Sequence, residues 1–195
     1  RLHAVLSDGG ARASIIPETA TLQLYVRSLY TETLMDLSQR VEDILQGAAL
    51  MTGTAVDAQW DEHPMSLPVR NNATLARRWG ATQASRGRDV LPAGTLPDSQ
   101  AASTDFGNVS HLVPGIHPLV KIAPEGTALH TTDFAAAAIS DQAFEGAFDA
   151  AVGLAQTIAD ILNDPQLLTD AKKEFEAAGG AISVEELLAR AASQP

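Results

Sequence analysis

Side chains that could bind ligands or metals are concentrated between residues 103 and 134. This region begins with Ser-Thr-Asp at 103–105 and contains His111, His117 and His130. Such clusters are typical of loops at strand ends, where α/β proteins bind ligands and metals. The three histidines do not form the one-turn helical pair of a zinc protease helix, and the chain has no cysteine. Spacing alone therefore leaves two interpretations open, metal ligands or solvated and hydrogen-bonded side chains.

The motifs in this region resemble the zinc aminoacylase and glutamate carboxypeptidase family of metallopeptidases, in particular its amidohydrolase branch with the p-aminobenzoyl-glutamate hydrolases. The resemblance is carried by Ser103-Thr104-Asp105, Gly107-Asn108-Val109-Ser110, Val113-Pro114-Gly115 and His130-Thr131-Thr132-Asp133-Phe134. It implies that His130 is a metal ligand and that Ser103, Thr104 and Asp105 line the active site and bind substrate. His111 and His117 are candidates for substrate contact or for a simple structural role. Turn chemistry is the other interpretation of residues 103–105, because Asp105 could cap a helical turn through Ser110.

The first third of the chain resembles the second half of the same family's lid and dimerisation domain, which is ferredoxin-like. The matching motifs are Gly9-Gly10, Ser14-Ile15-Ile16-Pro17-Glu18 and Val26-Arg27. Ser14 stands where many members have asparagine, so a hydroxyl replaces an amide at this candidate substrate contact. Arg27 matches an arginine that binds the substrate carboxylate or polar end, a task that suits the planar fork of a guanidinium. Without the resemblance, Arg27 would be an ordinary surface arginine on the polar face of a strand.

Hydrophobic periodicity predicts the elements that position these residues. Predicted strands cover residues 2–6, 20–27, 54–60 and 119–123. Predicted helices cover residues 31–53, 71–85, 140–164 and 166–178, and a last helix begins at the capping box 183–186. Thr31 and Ser140 are predicted caps, and the stripe from Phe144 and Phe148 to Leu162 is predicted to be core. The order strand, strand, helix, strand is half of a split βαβ unit.

We therefore predict an α/β fold with an α+β lid. Residues 1–62 would form the second half of a ferredoxin-like lid and dimerisation domain. Residues 63–195 would form the C-terminal part of an α/β zinc-peptidase catalytic domain.

Composition narrows the partners and the location. The 195 residues include 24 acidic and 13 basic side chains, and the net charge of -11 argues against a nucleic-acid or anionic-membrane partner. Without cysteine, any metal would be held by His, Asp and Glu, and the composition suits a cytoplasmic enzyme. No apolar run approaches the roughly 18 residues of a membrane span. The chain begins at Arg1 inside a strand pattern, so we expect a piece of a longer polypeptide.

The resemblance implies a metal-dependent amidohydrolase that cleaves an amide bond in an N-acyl amino acid, a dipeptide or an aminobenzoyl-glutamate-like substrate. Two metal ions, zinc or alternatively manganese or cobalt, would polarise the carbonyl and activate water, with a glutamate as base. The motifs for the other ligands and the base are not in this sequence, so we expect the fragment alone to be inactive. The family also implies a homodimer through the lid. A non-catalytic dimerisation or interaction module is the alternative, and an amino-acid-binding regulatory domain is a third.

Overall fold

The computed structural model describes residues 1–60, 65–92, 94–95 and 104–192, which divide into two compact units. The hairpin unit contains the described residues 1–60, 65–68, 104–105 and 184–192, and the helical unit contains 69–92, 94–95 and 106–183. The elements in the described part are β1 (Leu2–Asp8), β2 (Thr21–Val26), α1 (Thr31–Thr52), α2 (Ala73–Ser85), α3 (Phe106–Ser110), α4 (Thr132–Ala137), α5 (Asp141–Asn163), α6 (Pro165–Ala177) and α7 (Val184–Ala192). This mixture of helices and an antiparallel pair is compatible with an α+β class. The ferredoxin-like lid and the boundary at residue 62 stay predictions.

The first two strands form an antiparallel hairpin. Leu2 lies opposite Val26 and Leu6 lies opposite Leu22, and the register shifts between Leu6 and Asp8. Since side chains alternate along a strand, these four apolar residues share one face of the hairpin. Every residue of β1 is nevertheless exposed. The two strands predicted at residues 2–6 and 20–27 are confirmed.

Helix α1 follows the hairpin and buries Leu34, Val41 and Ala49. It ends at Gly53, which adopts the left-handed conformation (φ 70°) common at helix ends because glycine has no Cβ to clash. The predicted end is therefore confirmed. The predicted cap at Thr31 is wrong, because Tyr30 occupies the N-cap position and makes no side-chain capping bond.

The predicted strands at residues 54–60 and 119–123 are wrong. Alternation of apolar residues identifies a half-buried segment, but a strand also requires backbone pairing with a neighbour, and neither segment pairs with another strand in the part of the chain that is described. Residues 54–60 are instead tied to α1 by a side chain. The indole Nε1 of Trp60 donates a hydrogen bond to Glu42 Oε2 at 2.7 Å.

The helical unit is built from α2, α5 and α6, which pack against one another. The apolar side chains of Leu75 and Trp79 on α2 are buried as predicted. Phe175 on α6 is buried as well. Helices α2 and α5 come close together at Gly153. A Cβ atom at this position would lie 2.6 Å from Trp79 Nε1 and would also meet the Gln83 amide. A glycine is therefore required for the two helices to come this close.

Among the described residues the long apolar stripe of α5 is exposed, so the prediction that it forms core with them is wrong. Phe144 is 75% exposed, Phe148 56% and Leu162 79%. The buried face of α5 carries small residues instead, namely Ala143, Gly146, Gly153 and Thr157. Periodicity shows which residues share a face, but the small residues are the ones that let a neighbouring helix approach. Ser140 caps α5 as predicted, since its side chain accepts a hydrogen bond from the Ala143 amide.

Ion pairs and carboxylate caps join the helices of this unit. Hydrogen bonds from Arg86 and Arg88 hold the pKa of Asp149 below its ordinary value, and a hydrogen bond from Arg78 does the same for Asp160. These pairs connect α2 and the turn that follows it to α5.

Glu174 on α6 caps the first turn of α2. Its carboxylate accepts hydrogen bonds from the Thr74 amide (2.9 Å), the Thr74 hydroxyl (2.7 Å) and the Ala73 amide. Desolvation raises the pKa of Glu174, but the hydrogen bonds from Thr74 and the two amides outweigh it and lower the pKa overall. These bonds satisfy amides at a helix start that have no partner within the helix.

Candidate functional site

The motif Gly-Asn-Val-Ser at 107–110 folds as the short helix α3, and Ser110 at its end is completely buried. Its hydroxyl accepts a hydrogen bond from the Arg70 amide (2.9 Å) and donates one to Gly107 O (2.6 Å). The Arg70 guanidinium reaches further and donates to the carbonyls of Ala178 (2.8 Å) and Gly180 (2.6 Å). It also lies 4.4 Å from the centroid of the Phe175 ring. This arginine clamp fixes α3 against the end of α6.

His111 follows directly and is buried, with 9% of its surface exposed. Its amide donates to Gly107 O at 3.2 Å, and its carbonyl accepts from the Ile182 amide at 2.9 Å. The backbone of this candidate substrate residue is therefore held from both sides. Its role in substrate contact stays a prediction.

His117 lies in an exposed position after the motif Val-Pro-Gly at 113–115. Its amide donates to Asn71 Oδ1 at 2.8 Å, and its ring centroid lies 5.5 Å from that of Phe106. Gly115 lies against the same Phe106 ring, where a Cβ would come within 2.8 Å of a ring atom. The Val-Pro-Gly motif therefore has a packing reason for its glycine.

His130 is exposed and adopts a left-handed backbone conformation (φ 61°), the only non-glycine residue to do so among those described. A side chain beyond glycine costs about 1–2 kcal/mol in this region, so the conformation persists only where the surroundings impose it. The next residue, Thr131, is held by hydrogen bonds on both sides. Its hydroxyl donates to Ala128 O at 2.7 Å and accepts from the Phe134 amide at 3.1 Å, so it caps α4.

The Ser-Thr-Asp motif is described from its second residue onward, and Ser103 lies outside the described residues. Thr104 donates to Asp105 Oδ1 at 3.3 Å, and Asp105 is exposed directly before α3. Neither observation separates a role in substrate binding from turn chemistry. Both roles stay predictions.

Arg27 and Ser14 belong to the hairpin. Ser14 is exposed in the loop between β1 and β2. Arg27 directly follows β2, and its guanidinium lies 5.3 Å from the centroid of the Tyr25 ring. The Nε atom of Arg27 is buried and has no hydrogen-bond partner in the described part of the protein. A buried donor without an acceptor is costly, so this atom is suited to receive an acceptor from outside.

The predicted site residues are divided between the two units. Arg27, Ser14, Thr104 and Asp105 belong to the hairpin unit, and His111 and His130 belong to the helical unit. In residues 1–60, 65–92, 94–95 and 104–192, no three histidine or carboxylate side chains come together as a metal site would require. His130 can supply at most one ligand, so no catalytic step is assigned to a metal held by these residues alone.

Arg70 fixes α3 against the end of α6, but no pattern in the sequence predicts this role. Its partners are backbone carbonyls that lie 40 to 110 residues away along the chain. Since every residue type supplies a backbone carbonyl, the acceptors cannot be recognised from their residue types. No spacing rule could therefore have identified this arginine.

Over most of its length the chain is similar to a dipeptidase and to a hydrolase. The chain is 34% identical to the Xaa-Arg dipeptidase of Mus musculus over 176 residues, which are 90% of this chain and 40% of that protein. It is 22% identical to a p-aminobenzoyl-glutamate hydrolase polypeptide of Escherichia coli, over 90% of this chain and 47% of that protein. No protein-family model matches the chain.

A shorter match covers 109 residues of the N-acetyldiaminopimelate deacetylase of Streptococcus thermophilus at 34% identity, or 55% of this chain and 27% of that protein. The predicted resemblance to the amidohydrolases of the aminoacylase and glutamate carboxypeptidase type is confirmed by these relatives. The chain spans less than half the length of the curated relatives it matches. No helix of the described residues is long and apolar enough to cross a membrane.

Proposed function

We propose that this chain is part of a metal-dependent amidohydrolase that cleaves an amide bond next to an amino-acid residue. The names of the three relatives specify a dipeptide ending in arginine, an aminobenzoyl-glutamate and an N-acetylated diamino acid. Each of these compounds has an amide bond and a free carboxylate. The substrate class is therefore a dipeptide, an N-acyl amino acid or an aminobenzoyl-glutamate-like amide.

The observation that supports this function best is the left-handed conformation of His130. Backbone strain at a residue that glycine would relieve is found most often at functional sites. The imidazole is exposed, and its backbone is fixed by the Thr131 cap, so it is available to a ligand from outside the described residues. We assign it the role of one metal ligand, to zinc or alternatively to manganese or cobalt.

A metal at this position would polarise the carbonyl of the amide that is cleaved. Arg27 has the complementary task of binding the substrate carboxylate. Its buried Nε has no partner among the described residues, and a guanidinium donates two parallel hydrogen bonds to a carboxylate. Ser14, Ser103, Thr104, Asp105 and His111 are the further candidates for substrate contact.

The proposal includes a homodimer through the hairpin, which would be part of a ferredoxin-like lid. A two-stranded sheet is marginally stable by itself, and its outer edges offer unpaired backbone groups to another strand. The exposed apolar face of the hairpin supports the same association. A cytoplasmic location is the expectation that accompanies this function.

The metal content of the His130→Gly variant tests the proposed role. Glycine adopts the left-handed conformation freely, so this change removes the imidazole without straining the backbone. We expect the product of the complete reading frame to bind zinc or manganese stoichiometrically, and the variant to lose at least one equivalent by elemental analysis.

The His117→Ala variant is the matched control, since it removes another exposed histidine of the same region. Its metal content should equal that of the parent protein. If the His130→Gly variant binds as much metal as the parent protein, His130 is not a metal ligand. A metal-free parent protein would refute the metal-dependent hydrolase as a whole and favour the interaction module.

A further inference from the structure

Helix α5 carries an exposed apolar stripe on the side that faces away from α2. The side chains of Phe144, Phe148, Ile158 and Leu162 are 75%, 56%, 59% and 79% exposed. The complete stripe consists of Phe144, Ala147, Phe148, Ala151, Leu154, Ala155, Ile158 and Leu162, all of them exposed. From Phe144 to Leu162 it runs about 27 Å along the helix, at 1.5 Å per residue.

The stripe is not the outer face of an ordinary surface helix. A surface helix presents charged and polar residues to solvent, whereas these eight positions include no charged or polar side chain. The opposite face of α5 is already covered, because Gly153 and Thr157 are buried where α2 packs. Proteins rarely leave a continuous apolar surface of this length open to water. A second layer is therefore expected to cover it.

The shape of the stripe indicates what kind of surface covers it. At 100° per residue the eight positions span about 120° of the helix circumference, which is wider than the narrow seam of a two-helix coiled coil. A broad apolar face, such as a sheet or several helices, fits this width.

The lengths of the relatives indicate where such a face could come from. A match of 176 residues that covers 90% of this chain necessarily includes α5, which lies at residues 141–163. The same match accounts for only 40% of the mouse dipeptidase. More than half of the homologous polypeptide therefore lies outside the match.

We propose that the stripe of α5 is an internal packing surface of a larger domain. Its occupant is a broad, uncharged apolar face on the part of the polypeptide that the relatives carry outside the matched residues. Helix α5 is then a central layer, with α2 and α6 on one side and this face on the other. The proposal does not depend on any assigned substrate or metal ligand.

Thiol labelling can test this directly, because the chain contains no cysteine. The Phe148→Cys variant places one thiol in the stripe, and the Glu145→Cys variant places one on an exposed polar position of the same helix. Both are made in the 195-residue chain and in the product of the complete reading frame, and labelling of the corresponding peptide is followed by mass spectrometry.

In the 195-residue chain both thiols should be labelled at similar rates that do not depend on protein concentration. In the complete product the Phe148→Cys thiol should be labelled at least ~100-fold more slowly, since burial allows labelling only through local opening. The Glu145→Cys thiol should stay fast. Equal rates in the complete product, or a reading frame that encodes no further residues, would overturn the proposal. Concentration-dependent protection in the 195-residue chain would assign the stripe to a second copy instead.

Discussion

The helical unit and the hairpin unit carry equally clear apolar patterns but bury them to different extents. In the helical unit Trp79 and Phe175 are buried, because α2, α5 and α6 supply surfaces for one another. In the hairpin Leu2 and Leu6 share one face with Leu22, yet they are 52%, 61% and 46% exposed. Periodicity thus determines which side chains share a face, and burial depends on whether a second surface is present.

Loss of the arginine clamp should destabilise the helical unit most. The Arg70→Ala variant removes the hydrogen bonds to the carbonyls of Ala178 and Gly180 and the contact with the Phe175 ring. We expect the free energy of unfolding to fall by about 3 kcal/mol, since hydrogen bonds from a charged donor are worth more than neutral ones. Urea denaturation followed by circular dichroism measures this loss.

The Arg40→Ala variant on α1 is the control, because Arg40 is exposed in the hairpin unit. Its effect should stay within about 0.5 kcal/mol, as for ordinary surface substitutions. If the two variants are equally stable, the clamp does not hold the helical unit together.

Two helical glycines provide the next comparison. The Gly153→Ala variant should lose about 2 kcal/mol, because the added methyl group meets Trp79 and Gln83 in a packed interior. The Gly47→Ala variant on α1 should instead gain about 0.5–1 kcal/mol, since nothing lies within 4 Å of the new Cβ and alanine favours a helix. Thermal denaturation of both variants measures the difference. Two changes of the same sign would contradict the packing described for α2 and α5.

The smallest expected effect is that of pH on the melting temperature near neutrality. The folded state lowers the pKa of Asp149, Asp160 and Glu174, so these groups contribute stability above their unfolded values of about 4 and lose it as pH falls through the folded values. The melting temperature should therefore be level from pH 8 to about 5 and fall below about pH 4. The Asp149→Asn variant should show a shallower decline. A melting temperature that rises between pH 5 and pH 3 would contradict the sign.

Local patterns in the sequence predict the long helices α1, α2, α5 and α6 well, whereas the short helix α4 is not predicted. A short stretch of sequence is enough to predict features that depend on neighbouring residues. These features are the buried pair Leu75 and Trp79, the cap at Ser140 and the helix end at Gly53. Strand pairing and burial depend instead on a second surface distant in sequence, which explains the two wrong strands and the exposed Phe144.

The candidate site divides in the same way. Motif resemblance makes His130 and Arg27 candidates, but the residue type of His130 does not indicate its left-handed backbone. A histidine in the sequence does not indicate a left-handed backbone conformation, whereas a glycine often does. Contacts to backbone carbonyls, such as those of Arg70, cannot be predicted either, because every residue type has a backbone carbonyl.

The bond from the Ile182 amide to the His111 carbonyl has a consequence for how the chain folds during synthesis. His111 leaves the ribosome about 70 residues before its partner, a delay of roughly 4–14 s at the usual rates of translation. The delay between the synthesis of Arg70 and that of its acceptors Ala178 and Gly180 is longer still. The bond that holds the His111 carbonyl is therefore missing while α4, α5 and α6 are being made, and it forms only after Ile182 has emerged.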